Sequence, residues 1–447
     1  MKVKSIIMMS FTMLFFIGCE DETDIEGCTD VSADNYISDA TIDDSSCTYS
    51  AEFSGAITED QTWKAEGDYI LSAQTFVKSG VTLTIEAGTT IKAAADDGAG
   101  LAPALIIEQG AKIMAVGTAA NPITFTSMKS AAELSANPRG NWGGLIILGK
   151  APISTDGGTN FVEGVEGVPY GGSDPNDNSG ILKYVRVWHG GKSIGQDNEI
   201  NGITLAGVGN GTTVEHCEVA HNLDDGFEMF GGTVDLKWCS VYHVGDDSFD
   251  TDEGYQGRGQ FLFVERAVDS DRCMEMDNKT GGDLNSQPRS HPKFSNMTCL
   301  GSNGDADMAK LREGTGGDHR NLVMIDGAKD GIENEDNGTE VVSQVEPTSI
   351  CPGLGSSSGC DYLYISANTL FYNVATPWKD TVADSTHNFT NQSGDPGISS
   401  SSLLPTAGGP AFQDIDNVIN DGWFESVDYK GAFGTVDWLT GWSIKSQ

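Results

Sequence analysis

Basic residues are scarce in this chain: 26 Lys and Arg stand against 65 Asp and Glu in 447 residues, a formal charge of −39 at pH 7. That balance repels nucleic acid and anionic membrane surfaces, and it suits divalent cations or basic protein patches. Long hydrophobic runs are scarce too. One apolar stretch runs from Ile6 to Ile17, and no second segment approaches spanning length, which argues against a helical channel or transporter role for this chain alone. There is no long amphipathic helical pattern, no nucleotide-binding loop, no Ser-His-Asp order and no zinc-finger spacing. Proline is modest (14) while glycine is abundant (56). Thr, Ser, Asn and Asp punctuate short apolar runs throughout, as expected of many short strands and turns.

At the N-terminus Lys2 and Lys4 precede the apolar run, which ends at Gly18-Cys19. The run is too short to span a bilayer and reads as a signal peptide over residues 1–18. Phe16-Ile17-Gly18-Cys19 resembles a bacterial lipobox, with Phe where Leu is usual, and the resemblance implies lipid on Cys19. Residues 19–26 form an acidic tether similar to that of surface-displayed lipoproteins of Bacteroidota-type bacteria. This implies a lipid-anchored outer-membrane protein facing the cell surface. With Cys19 acylated, eight of nine cysteines remain, which fits an oxidising compartment. Cys28–Cys47 and Cys351–Cys360 are local pairs, and Cys273–Cys299 pair by default. Cys217 and Cys239 are 22 residues apart; at the separation of stacked strands they can form a disulfide or a ladder of free thiols.

The most telling pattern is internal repetition. Ile85, Glu86, Gly88 and Ile91 recur as Ile107, Glu108, Gly110 and Ile113, and His221-Asn-Leu-Asp-Asp-Gly-Phe-Glu228 recurs as His243-Val-Gly-Asp-Asp-Ser-Phe-Asp250. A fixed period near 22 residues, carried by short β-rich runs, predicts an all-β solenoid whose coils stack over one core. Ser270–Glu275 is a third copy and Ala328–Glu333 a later one, placing Phe227, Phe249, Met274 and Ile332 at one stacked position. The solenoid is expected over residues 51–390, interrupted by an excursion from Thr155 to Ser179. Residues 51–75 are expected to cap one end and the region 391–447 the other.

Two resemblances sharpen this. Gly27-Cys28-Thr-Asp and the Asp43-Asp-Ser-Ser-Cys47 ending resemble a two-cysteine module of Bacteroidota surface proteins, here over residues 27–50; Asp30, Asp43 and Asp44 suit Ca²⁺ or a solvated spacer. From Trp63 to Trp442 the chain resembles a family of right-handed parallel β-helix lipoproteins, through TLTIEAGTTIKA, NWGGLIILGKAPI, NEINGITL, DDGFEMFGGTV, DDSFDTDEGYQG and the GAFG…GWS tail. The resemblance implies a right-handed, single-stranded parallel β-helix; it carries no established activity.

Stacking turns repeats into ladders. Asp224, Asp246 and Asp271 align, as do Glu228, Asp250 and Glu275, while Asp225 and Asp247 align with Arg272. Carboxylates one strand apart repel unless a cation or donors intervene. These six acids are therefore candidate Ca²⁺ ligands, the competing reading being turn caps. Two functions follow. One is non-enzymatic binding of a glycan or of a partner in an outer-membrane assembly. The alternative is a Ca²⁺-dependent polysaccharide lyase or glycoside hydrolase using Asp225, Asp247 and Arg272, with Lys310, Arg312 and Lys329 nearby as further bases. The Asp-Asp pairs resemble the pectin-hydrolase pattern, but its companion Gly-His-Gly and Arg-x-Lys motifs are missing. His189, His221 and His243 form a further ladder, for Zn²⁺ or for hydrogen bonds along the column. Trp142, Trp188, Tyr242 and Tyr255 are candidate sugar-stacking residues.

Overall fold

In a computed structural model of the chain, successive short strands run parallel and pair one coil above another along three faces. The structure describes residues 24–94, 101–165, 167–195, 198–278, 283–302, 304, 306–335, 342–343, 351, 359–380, 394–418 and 421–446. The expected signal segment and the lipidation candidate Cys19 lie outside the described residues. Among the described residues no helix is long and apolar enough to cross a membrane.

Residues 24–49 form a unit of their own. Two short parallel strands, Glu26–Gly27 and Ile42–Asp43, are stapled by the Cys28–Cys47 disulfide. Asp30 accepts from the Ser32 amide and hydroxyl, Asp43 from the Ser45 amide and Asp44 from the Ser46 amide. These acids shape turns, as short Asp side chains do when they capture backbone two residues on.

The second unit is a parallel β-helix, of the right-handed sense that parallel crossovers overwhelmingly adopt. Its first face stacks Gln61–Trp63, Thr82–Ile85 and Lys112–Val116 and continues through the first halves of Gly180–Trp188 and Thr213–Ala220. The second face carries Thr90–Ala93, Ile123–Ser127 and the second halves of those longer strands. The third stacks Leu105–Ile107, Leu145–Leu148, Ile203–Ala206, Phe227–Phe230, Phe249–Asp252, Met274–Met276 and Ala309–Leu311. Inward side chains repeat at each level, so Phe227 and Phe249 stack with ring centroids 5.3 Å apart, and Met274, Ala309 and Ile332 continue the column. The level carrying Ala309 escaped the sequence pattern because Lys310 stands where its neighbours have acids.

The corner between first and second faces is made by residues in the left-handed region: Tyr184, His216, Trp238, Phe261, Asn296 and Asn321, with φ of 51–58°. Their rings stack outward, at 4.4 Å for Tyr184–His216 and 4.8 Å for His216–Trp238. Left-handed geometry is costly for such residues, and the ring stack and pairing on both sides hold it in place.

One expectation is corrected. Ile85 and Ile107 are not stacked: Ile85 pairs with Trp63 and Ala115, and Ile107 with Val77 and Ile147. The two similar segments lie on successive corners of the helix. They match because both corners use one turn, in which Gly88 (φ 92°) and Gly110 (φ 80°) supply the positive φ and the Glu86 and Glu108 carbonyls accept the amides of Thr89 and Ala111. The period of 22 holds in the central coils, where Phe227 meets Phe249 and Val214 meets Leu236.

Cysteine pairing follows expectation at Cys273–Cys299 and Cys351–Cys360. Cys217 and Cys239, by contrast, are free buried thiols. Cys217 sits beside Val185 in an inward ladder, and the two thiols donate to the carbonyls of Leu182 and Lys237, each at 3.6 Å. Small apolar side chains suffice there, and burial pushes the Cys217 thiol far up, away from the reactive thiolate.

The described part of the C-terminal region lies lengthwise along the second face rather than over the last coil. The Asn296 amide donates to the Tyr429 carbonyl, Ala432 donates to Thr298, Arg186 to the Trp442 carbonyl and Ile444 to Glu218. Phe433, Leu439 and Trp442 bury the outward row of Trp188, Ala220 and Tyr242, and with it Phe263 of the adjacent row. At the N-terminal end Phe53 stacks on Trp63 at 4.7 Å, covering the first coil.

Candidate functional site

The third face has an outward row that can be followed from coil to coil: Phe76, Ile106, Ile146, Thr204, Glu228, Asp250, Glu275, Lys310, Glu333 and Lys379. It begins apolar, becomes acidic in the middle, and ends with alternating charges that pair, as in Lys310 with Glu333 and Glu335. The excursion after Thr155 folds back as an antiparallel hairpin, Asn160–Phe161 against Pro169–Tyr170. Val162, Val165 and Tyr170 cover Ile106, Ile146 and Leu148. Its rim is tied to the coil by Glu253, which accepts from Asn160 Nδ2 (2.7 Å) and the Tyr170 hydroxyl (2.6 Å).

Where the hairpin ends and the acidic stretch begins lies a cleft of about 480 Å³, lined by Phe161, Phe230, Asn201, Thr204, Glu228 and Asp250 among others. Asp225, Glu228 and Asp250 bring carboxylate oxygens within 4.8 Å of one another. Burial, reinforced by neighbouring acids, raises the pKa of all three well above the usual carboxylate range. Donors are few. Asn201 Nδ2 donates to Glu228, and the Asp247 amide to Asp225 at 2.8 Å. Three oxygens in the same place have no hydrogen-bond partner: Asp250 Oδ1, Asn201 Oδ1 and Thr204 Oγ1. Asn201 and Thr204 are only 5% and 1% exposed. Orphaned buried acceptors are costly, and an all-oxygen set of this kind suits Ca²⁺.

The six sequence-predicted ligands separate into different environments. Of the four that line the cleft, Asp224, Glu228, Asp250 and Glu275, the middle two crowd together with Asp225, which the sequence had placed in a catalytic group. Glu275 is engaged instead by Arg272 (2.9 Å) and Arg312 (2.7 Å). Asp224 groups with Asp225 and Asp246, and Asp271 with Asp246 and Asp247, along the preceding turn. Asp247 (3% exposed) accepts the Arg272 amide at 2.6 Å, one coil-repeat after Asp225 accepts that of Asp247, which is the turn-capping role. Arg272 is paired with three carboxylates, Asp247, Asp271 and Glu275. Burial favours its neutral form, but Asp247, Glu275 and Asp271 outweigh that and hold it more firmly cationic than usual.

The aromatic candidates are overturned. Trp188 and Tyr242 lie under the C-terminal region, Tyr255 is fully buried with its hydroxyl on the Val234 carbonyl, and Trp142 is fully buried. The exposed aromatic of the cleft is Phe161 (57%), with Phe230 half-buried beside it. Phe161 sits in the excursion, where no repeat pointed to it; an aromatic beside acids in an Asp- and Gly-rich insertion was the only signal. The histidine ladder is real as a stack, His189 to His221 at 5.5 Å and His221 to His243 at 5.5 Å. All three residues have positive φ at a corner, and His189 Nδ1 meets the Pro138 carbonyl at 2.7 Å. Burial depresses His189 and, with the neighbouring rings and Arg139, takes His221 to about 4, so these two rings favour the neutral form within a corner stack along the column.

A family model described as a pectate-lyase-like beta helix domain matches residues 55–356. The chain belongs to that family. The match spans the coils that build the cleft, and the pectate-lyase-like beta helix here places its acids on the third face. No curated protein and no solved structure matches the chain.

Proposed function

We propose that the third-face cleft is a carbohydrate-binding site with a cation subsite, carried by a lipoprotein anchored through Cys19 to the outer membrane and facing the cell surface. The observation that carries the binding reading is the juxtaposition of an exposed Phe161 ring with three crowded carboxyls and three partnerless buried oxygens. An aromatic face takes the apolar side of a sugar ring, and the oxygens take its polar groups or a Ca²⁺ ion. Calorimetry against a panel of oligosaccharides tests this. Binding to at least one glycan, weakened about tenfold in Phe161→Ala through lost stacking of about 1.4 kcal/mol, supports it. No binding to any member, or an unchanged Phe161→Ala, refutes it. A partner protein in an outer-membrane assembly is the other occupant such a face could take, and co-purification from solubilised membrane tests that. The anchor requires that Cys19→Ser frees the protein from the membrane fraction.

A second reading, polysaccharide lyase or glycoside hydrolase, draws support from the family match and from the raised carboxyls of Glu228 and Asp225, which suit a proton donor. A lyase would leave unsaturated products absorbing in the near ultraviolet; their absence across uronate polymers removes that branch, and absence of new reducing ends removes hydrolysis.

A further inference from the structure

We propose that the cleft selects an amino-sugar oligosaccharide, whose ammonium group takes the cation subsite, and rejects polyuronates. This rests on the carbohydrate reading above and names its substrate class.

The charge of the walls points this way first. Nine carboxyl groups line the cleft against the single guanidinium of Arg312. Arg312 is itself committed, through Nε to both oxygens of Asp277 (3.0 and 2.9 Å) and through Nη2 to Glu275 (2.7 Å). Arg272, on the neighbouring turn, is held by Asp271 and Glu275. Among the described lining residues no uncommitted cation is left to receive a uronate carboxylate, and a like charge brought into this field is repelled.

The second observation is independent of net charge. Asn201 is buried, its Nδ2 is used on Glu228, and its Oδ1 is left without a partner; Asp250 Oδ1 is in the same state. Asn201 Oδ1 can only accept, and Asp250 Oδ1 accepts when its carboxyl is ionised, the form that a cation stabilises. They require donors, and an ammonium group supplies three from one centre. Thr204 Oγ1, adjacent to Glu228 in register, can accept from the same group. The Phe161 ring adds a face for the pyranose and attraction for a nearby cation. An acetamide supplies one N–H and no charge, so N-acetylation should weaken binding.

The test is calorimetric titration of the full chain with three tetrasaccharides: β-1,4-linked glucosamine, its N-acetylated form, and galacturonate, each in chelator and in Ca²⁺. The proposal expects glucosamine tetramer to bind at least tenfold more tightly than its N-acetylated form, Ca²⁺ to compete with it, Asp250→Asn to erase the preference, and galacturonate not to bind. Equal affinity for the amino and N-acetylated forms overturns the charge selection while leaving the carbohydrate site standing. Galacturonate bound in Ca²⁺ overturns it in favour of metal-bridged uronate recognition. Binding of none of these, or of any other glycan, overturns both.

Discussion

Asp250 illustrates how much one position must reconcile. It lies between Glu228 and Glu275 in the outward row, with burial and those neighbours pushing its carboxyl pKa well up and Oδ1 left without a partner. Asp225, Glu228 and Asp247 are raised as well, burial being the largest cause in each. A group whose pKa is higher folded than unfolded contributes stability that is fully present below its unfolded value and lost as pH rises through the folded one. In chelator, melting temperature should therefore fall as pH is raised above the ordinary carboxylate range and through the raised folded-state values. The stability lost is roughly 1.4 kcal/mol for each tenfold by which folding tightens proton binding at a group. Asp250→Asn should flatten that slope and melt higher than wild type at the alkaline end. Equal slopes in the two proteins would show that the ladder is not strained by charge. The sequence exposed this row through the Asp-Asp-x-Phe-Glu/Asp repeats. It did not reveal that Glu275 would be claimed by two arginines, because Arg312 comes from a level whose acids are replaced by lysine.

At the scale of elements, the corners, the hairpin and the C-terminal region decide what each face presents. The second face would expose Trp188, Tyr242 and Phe263 were it not for the residues from Phe433 to Trp442. Trp442 is 1% exposed, meets Tyr184 edge-on at 5.5 Å, and is tied by Arg186 through its carbonyl. Trp442→Ala should cost about 3–5 kcal/mol and release this segment. Thermal melting, together with faster proteolysis near the C-terminus, checks it; unchanged melting and cleavage would mean the segment is a passenger. Its aromatic content suggested a cap at the end of the column. A chain long enough to cap an end is also long enough to run down a side, and only the tertiary partners Asn296, Thr298 and Glu218 distinguish the two. The same limit hid Phe161: a hairpin inserted between coils carries no period, so nothing in the repeat says which face it will fold over.

Across the whole molecule, the β-helix was legible because each level repeats the same burial problem and solves it with the same residue types, as Phe227 over Phe249 shows. Its register at the N-terminal end was not, since equivalent turns at different corners give equivalent sequences. Ligand selection arises from where along the column the outward row changes character, from Ile106 and Ile146 through Thr204 to Glu228 and Asp250, with the hairpin ending at that junction. The most direct measurement is a calorimetric Ca²⁺ titration of chelator-treated protein beside Glu228→Gln, Asp250→Asn and Asp271→Asn variants. A cation subsite in the cleft gives a binding event that Glu228→Gln and Asp250→Asn each weaken at least tenfold and Asp271→Asn leaves in place. Absence of binding in the unaltered protein, or loss through Asp271→Asn alone, would contradict it.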